Sequence, residues 1–273
     1  MKSAVAMILF GAALLLACGC APTFSDRARL GWTVYCPGAG NTDFGENGIR
    51  QGLEAAGYRG EVAAYMWTVS FNIAIDQTVR INARIRAEQL ARLIEQYTDW
   101  YRENRGENDP PEPTIYLVGL SAGSGIAIWA CENLREGYTV DSVVLLSSSL
   151  SYDYDVTSAL KHIREKIYCY CSDRDAVLAG PMQIVGTIDG KIATPGVGQV
   201  GLQSKTHSAR IVNIRWRDEF TKFGYFGGHT DSTSPEFVQA YVANNLLRHA
   251  AIGATERTPA IAPAKDLQAA HRD

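Results

Sequence analysis

Short, almost wholly apolar runs alternate along the chain with segments whose apolar residues recur at helical spacing. Such runs are typical of strands covered on both faces, and a spacing of three or four residues is typical of helices with one buried face. The runs predict six strands, at residues 32–36, 61–67, 114–120, 142–150, 166–172 and 210–216. The spacing predicts five helices, at residues 46–56, 76–103, 121–135, 156–165 and 234–250. This alternation predicts an α/β fold with one doubly wound, mostly parallel sheet flanked by helices.

The longest of these helices carries its apolar residues on one predicted face. They are Ile81, Ile85, Leu90, Leu93, Ile94, Tyr97 and Trp100. This one-face spacing predicts a long amphipathic helix with these residues on its apolar face.

The two ends of the chain have a different composition. Residues 1–17 carry one cation, Lys2, and an apolar run too short to span a bilayer, which predicts a signal peptide. Residues 15–18 (Leu-Leu-Ala-Cys) resemble the bacterial lipobox and predict lipid attachment at Cys18, with Cys20 as the alternative. We therefore expect an exported protein with a lipid anchor in the cell envelope, by default in the outer membrane. A linker at 18–29, one folded domain at 30–252 and a disordered tail at 253–273 complete the predicted organisation.

Length, charge and cysteine content limit the classes of function that fit the chain. The chain of 273 residues is 46% hydrophobic and has a formal net charge of −3, which fits a single domain and gives no electrostatic basis for binding nucleic acid. Four further cysteines, Cys36, Cys131, Cys169 and Cys171, are expected to pack in the core, with a disulfide as the alternative. No spacing of histidines and cysteines is typical of zinc. Residues 196–201 read G-x-G-x-x-G, but Pro195 precedes them and no helical pattern follows, so we expect neither a metal nor a cofactor.

The candidate chemistry begins at the junction of the best strand with a helix. Residues 119–123 (Gly-Leu-Ser-Ala-Gly) form a G-x-S-x-G pattern at this junction. A serine there must sit on a sharp, strained turn, and the small neighbours let strand and helix approach closely. This context predicts Ser121 as a nucleophile.

Here the chain resembles the α/β-hydrolase superfamily, over about residues 32–250. The resemblance implies a serine hydrolase whose acid and histidine follow later strands, in that order. Asp175 follows the strand at 166–172 and is the favoured acid, with Asp173 as its rival and Asp153 as a third option. His229 lies between the last strand and the last helix, where the family places its general base.

The resemblance also implies two backbone N–H donors that stabilise an oxyanion. One is Ala122, and the other is Ala39 or Gly40 in the Pro37–Gly40 turn, which departs from the His-Gly-Gly-Gly sequence of many lipases. The stretch 151–165 has room for one helix only, so we expect no large lid. A small acyl ester is the expected substrate, while lipase, thioesterase and peptidase activities remain alternatives. The competing hypothesis is a non-catalytic exported lipoprotein that uses the fold for binding or scaffolding.

Overall fold

A computed structural model describes residues 23–41, 43–68, 72, 75–76, 80–206 and 208–247. These residues form a six-stranded sheet in which all neighbouring strands are parallel. The strands are β1 (Trp32–Cys36), β2 (Glu61–Ala64), β3 (Ile115–Leu120), β4 (Ser142–Leu146), β5 (Ile167–Cys171) and β6 (Ile211–Arg215). This arrangement confirms the predicted α/β fold with a doubly wound sheet.

Helices link the strands and cover both faces of the sheet. They are α1 (Gly45–Ala55), α2 (Arg80–Asn104), α3 (Gly123–Asn133), α4 (Thr157–Leu160), α5 (Ala176–Ala179), α6 (Pro181–Val185), α7 (Val197–Val200), α8 (Pro235–Phe237) and α9 (Ala243–Leu246). A π-helical turn, Val238–Val242, joins α8 to α9. In the described part of the chain, no helix is both long and apolar enough to cross a bilayer.

The strand order is β2-β1-β3-β4-β5-β6. The chain therefore moves outward from β1 to β2 and then returns to build the rest of the sheet from β3 on the other side of β1. In open parallel sheets, ligands bind at the carboxyl ends of the strands where the order reverses in this way. The crevice between the ends of β1 and β3 is the position that this topology marks.

Alternate residues of the central strands feed two separate hydrophobic cores. Leu117 and Leu145 face the core formed with α2 and α3, while Val118 and Leu146 face the core formed with α1 and the C-terminal helices. Burying one such aliphatic side chain stabilises the fold by roughly 1.5–3 kcal/mol. Burial on both faces is why the strands show almost no polar alternation in the sequence.

One prediction for the long helix is wrong at its N-terminal end. Ile81 and Ile85 are 69% and 45% exposed, and the buried positions there are Ala83 and Ala87. From Leu90 onward the buried face follows the predicted one. Because alanine is small, Ala83 and Ala87 let α2 lie close to the neighbouring core. With these alanines facing inward, the two isoleucines point outward.

Other predicted elements are shorter in the structure. β2 ends at Ala64 and β4 at Leu146, and the predicted helix at 156–165 is reduced to α4. The chain leaves α4 because Ile163 forms a parallel bridge with Val140, and the N–H of Arg164 donates to the carbonyl of Val140. Strand pairing therefore overrides the helical pattern there.

Part of the predicted linker is packed structure. Residues Asp26–Leu30 form a 3₁₀ turn, and Tyr97 Oη donates to the carbonyl of the buried Ala28 at 2.6 Å. Phe24 lies edge-on to Trp32 with ring centroids 5.7 Å apart. The folded domain therefore begins before residue 30. The predicted signal peptide, the lipid attachment at Cys18 and the tail at 253–273 lie outside the described residues.

Candidate active site

Ser121 occupies the turn between β3 and α3 with a backbone φ of 51°. This left-handed conformation is uncommon for residues other than glycine, and it holds the serine at the tip of a sharp bend. The serine is partly exposed, and its N–H donates to the Leu146 carbonyl of the neighbouring strand at 2.9 Å. The turn therefore has the strained form that the sequence motif predicts.

The two glycines of the motif are required by space. A Cβ atom on Gly123 would clash with the carbonyl oxygens of Cys36 and Pro37, at the end of β1. A Cβ on Gly119 would lie 2.6 Å from the Cα of Ser124. Because both clashes are with backbone atoms, no side chain can relieve them by moving.

The site lies at the reversal point of the sheet. A Cβ built on Gly38, just after β1, would lie 3.5 Å from the Cβ of Ser121. The crevice between the β1 and β3 ends therefore contains the candidate nucleophile. Within the described residues, the Ser121 hydroxyl forms no hydrogen bond.

His229 and Asp175 are joined directly. His229 Nδ1 lies 2.7 Å from Asp175 Oδ2, and the Asp175 side chain is fully buried. The other oxygen, Oδ1, accepts from the N–H groups of Val177 and Leu178 at 3.0 and 3.1 Å. These bonds, at the first turn of α5, fix the carboxylate and through it the orientation of the imidazole ring.

The alternative acids have other surroundings. Asp173 is exposed, and Asp153 pairs with Lys191 at 2.6 Å. Asp231 accepts from the N–H groups of Phe226 and Gly228, so it shapes the loop that carries His229. Of the predicted acids, only Asp175 contacts the histidine within the described part of the chain.

The remaining histidines are not part of this arrangement. His162 Nδ1 lies 3.0 Å from the carbonyl oxygen of Tyr138, on the far edge of the sheet. His207, His249 and His271 fall outside the described residues. The sequence position of His229, after the last strand, is matched by its place at the carboxyl edge.

The sequence leaves Ala39 and Gly40, in the turn after β1, as alternative oxyanion donors. They differ in whether the N–H group already has a hydrogen-bond acceptor. The N–H of Gly40 donates to Asp76 Oδ2 at 2.8 Å, and the N–H of Gly38 donates to Asp43 Oδ2 at 2.7 Å. Among the described residues, neither Ala39 N–H nor Ala122 N–H has an acceptor. Ala39 is therefore favoured over Gly40 as a donor that an incoming oxyanion can use.

Two carboxylates that the sequence analysis did not single out hold this turn. Besides Gly38, Asp43 accepts from Tyr35 Oη at 2.5 Å and from the N–H of Gly45 at 3.1 Å. Burial, with the Asp43 charge as the next cause, raises the pKa of Tyr35, so its hydroxyl stays a donor. Asp76 lies before α2, 36 residues from Gly40, and no local pattern connects the two.

A glycine-rich segment, residues 176–201, covers the ends of β4 and β5. It contains α5, α6 and α7 and is fixed by Asp189, which accepts from Ser151 Oγ at 2.5 Å and from its N–H at 2.8 Å. This segment is therefore partly helical and is anchored to the chain after β4. The stretch between β4 and β5 contains only α4, in agreement with the prediction of no large lid.

The described residues offer little support for a thiolate nucleophile or for a metal site. All four described cysteines are free thiols, and burial raises their pKa values, for Cys171 to about 11, which disfavours a thiolate nucleophile. No group of three or more His, Cys, Asp or Glu side chains in the described ranges could hold a metal ion. A cavity of about 460 Å³ lies elsewhere, between Glu95 on α2 and Arg135 after α3, and charged side chains line it.

Comparisons with known proteins assign the chain to no family. No protein-family model matches the chain, and a search of curated proteins finds no match. Among solved structures, the carboxylesterase CesB (YbfK) from Bacillus subtilis is similar with a TM-score of 0.36 and 12% sequence identity, over 80% of this chain and 84% of that one. The α/β fold class rests instead on the parallel sheet and its strand order.

Proposed function

We propose that this protein is a serine hydrolase that cleaves carboxylic esters through an acyl-enzyme intermediate. The observation that carries the proposal is the 2.7 Å contact between His229 Nδ1 and the buried Asp175, at the sheet edge where Ser121 occupies a strained turn. Nucleophile, base and acid come from three separate strand ends. Their order along the chain is the one that the resemblance to α/β-hydrolases implies.

The proposed reaction begins with proton transfer from Ser121. Because the Asp175 carboxylate accepts, the Nδ1 proton of His229 points toward it, and Nε2 is left as the base. Ser121 Oγ attacks the ester carbonyl, and the N–H groups of Ala39 and Ala122 stabilise the oxyanion of the tetrahedral intermediate. His229 then gives the proton to the leaving alcohol. Water, activated by the same histidine, releases the acid and restores Ser121.

One movement is needed before this transfer. The Ser121 hydroxyl makes no hydrogen bond with His229 in the structure, so the two side chains must approach to hydrogen-bonding distance when substrate binds. Catalytic hydrogen bonds are often long in ligand-free enzymes and shorten in the substrate complex. A serine rotamer change about χ1 is the smallest motion that alters this distance.

Labelling with a fluorophosphonate tests the proposal directly, because the probe phosphonylates only an activated serine. We expect labelling of the folded protein and its loss in Ser121→Ala, with Ser158→Ala on α4 as a control that labels normally. A panel of p-nitrophenyl esters of graded chain length then separates esterase from lipase preference. Folded protein that neither labels nor hydrolyses any ester would favour the non-catalytic binding or scaffolding protein.

The cellular location is a separate part of the proposal, supported by the lipobox-like residues 15–18. We place the protein in the bacterial cell envelope, held by a lipid on Cys18. Metabolic labelling with a clickable palmitate analogue tests this. Cys18→Ser should lose the label and Cys20→Ser should keep it, and the reverse result would assign the lipid to Cys20.

A further inference from the structure

Large apolar side chains are exposed almost exclusively at one edge of the sheet. Ten of them are more than a third exposed in the described part of the chain. Nine follow the carboxyl end of a strand, at the edge where Ser121 lies, and the tenth, Leu30, precedes β1 at the opposite edge. Scattered exposed apolar residues are normal on a soluble protein, but a one-sided set marks an interaction surface.

Two of these side chains belong to the turn that presents Ala39. Phe44 is 86% exposed and follows Asp43, whose carboxylate accepts from Gly38. Ile75 is exposed and precedes Asp76, whose carboxylate accepts from Gly40. These short connections place both apolar groups beside the candidate oxyanion site.

Two more belong to the loops of the acid and the base. Val177 is exposed, and its N–H donates to Asp175. Phe226 is 63% exposed and lies three residues before His229, with its N–H directed to Asp231. Apolar groups therefore lie on the side of the site opposite the Ala39 turn as well.

The remaining members extend this rim around the mouth of the site. Ile81 and Ile85 are one helical turn apart on α2, next to Asn82, whose amide donates to the carbonyl of Trp67. Ile184 and Ile192 lie on the glycine-rich segment over β4 and β5. Met66 follows β2 and precedes Trp67, whose indole N–H donates to the carbonyl of Pro37 at 2.8 Å. The two isoleucines of α2, which the sequence pattern assigns to the core, thus join the rim.

We infer that this apolar rim rests on a lipid–water interface, from which the protein draws a water-insoluble acyl ester into the site. The substrate part of this inference rests on the proposed function, whereas the contact with lipid does not. Side chains of this size insert into the boundary between headgroups and acyl chains, as interfacial helices do.

The shape of the surface selects lipid over a protein partner. The rim comes from connections on both sides of Ser121, after β1 and β2 and after β5 and β6. A second copy or another protein covering the rim would close access to Ser121. A lipid surface can bury the apolar side chains of the rim and at the same time supply substrate to Ser121.

The binding test uses phosphatidylcholine vesicles and the chain from residue 21, which keeps every described residue and lacks both candidate lipidation cysteines. Circular dichroism and thermal unfolding first establish that this chain folds as the full chain does. Ser121→Ala is included in every sample so that no ester is consumed. We expect Phe44→Ser and Phe226→Ser each to weaken vesicle partitioning by about tenfold. The matched control, Leu30→Ser at the opposite edge and 55% exposed, should partition unchanged.

Three results would overturn the inference. They are unchanged partitioning of both phenylalanine variants, equal weakening by Leu30→Ser, and self-association in sedimentation that Phe44→Ser abolishes without any vesicle binding. The active chain is then assayed with p-nitrophenyl butyrate and palmitate. We expect Ile184→Ser, at a rim residue outside the Ala39 turn and the His229 loop, to lower turnover of the palmitate ester and to leave turnover of the butyrate ester within about twofold. Loss of all turnover with vesicle binding intact would instead reject the proposed hydrolase and retain the lipid-binding surface.

Discussion

In the proposed reaction, Asp175 acts through the orientation of His229. Its buried carboxylate accepts from the imidazole and from two N–H groups of α5, so it is held in place from both sides. The residue therefore fixes Nδ1 as the ring nitrogen that faces the carboxylate and leaves Nε2 free of it. Its loss should affect the chemical step more than substrate binding.

We predict that Asp175→Asn lowers kcat by about 10⁴-fold with little change in KM, because the amide favours the wrong imidazole tautomer. The exposed Asp173 provides the control, and Asp173→Asn should stay within about twofold of the unmodified chain. Steady-state kinetics on a soluble ester measure both. A larger loss from Asp173→Asn would assign the acid to that residue.

In the proposed reaction, Asp43 is a positioning residue for the turn that carries the candidate oxyanion donor Ala39. Its removal frees Gly38 and releases the Tyr35 hydroxyl, so the N–H of Ala39 loses its fixed direction. We predict that Asp43→Ala lowers kcat by about 10- to 100-fold, less than the loss of an oxyanion donor itself.

A positioning role and a purely structural role of Asp43 predict different changes in analogue binding. Misdirection of Ala39 should weaken binding of a boronic acid transition-state analogue by the same factor as kcat while KM stays constant. Asp43→Glu should recover part of the loss. If the analogue binds normally to Asp43→Ala, the positioning role is wrong.

The strand–helix junction is the element on which the nucleophile depends. Gly123 lets α3 approach the end of β1 so closely that any side chain would clash with the Cys36 carbonyl. Neither partner can move without breaking the sheet register or the helix start. Glycine at this position is thus a packing requirement as well as part of a motif.

We predict that Gly123→Ala lowers the free energy of unfolding by about 3 kcal/mol or fails to fold. Gly106→Ala is the matched control, since the nearest atoms to its Cβ lie at an ordinary 3.4 Å. It should remain within about 0.5 kcal/mol of the unmodified chain. Urea unfolding measures both, and a Gly123→Ala chain as stable as the control would contradict the close approach.

At the scale of the whole molecule, buried tyrosines couple stability to alkaline pH. Burial raises the pKa of Tyr65 and Tyr154 to about 12, and it raises the pKa of Tyr97 and Tyr116 as well. In the unfolded chain these groups titrate near pH 10. Their contribution to stability is therefore fully present below about pH 10 and is lost as the pH rises through the folded pKa.

We predict that the urea midpoint falls steadily as the pH is raised from about 9 to about 11.5, because the unfolded tyrosines ionise first. Absorbance at about 295 nm follows tyrosinate formation in parallel and should show a fraction that appears only on unfolding. A stability that is constant over this range, with all tyrosines titrating near pH 10 in the folded protein, would contradict the prediction.

Local pattern sufficed for the strands and for the strained turn. The run at 32–36 coincides with β1, and the chain after β3 has, at Ser121, the bend that the motif predicts. These features depend on neighbours within a few residues, so they can be predicted from the local sequence. The resemblance to α/β-hydrolases made His229 the candidate base and left Asp175, Asp173 and Asp153 as candidate acids, and the 2.7 Å contact between His229 and Asp175 is visible only in three dimensions.

By itself, the sequence determined the class of fold and the residues at each strand end, because side-chain periodicity and steric limits at a turn are local properties. Tertiary structure decided which N–H after β1 stays free, since Asp76 reaches Gly40 from 36 residues away. It also decided that Ile81 and Ile85 face solvent, because the register of α2 is set by close packing of Ala83 and Ala87. Such outcomes depend on pairs distant in the chain, and periodicity along one segment carries no information about them.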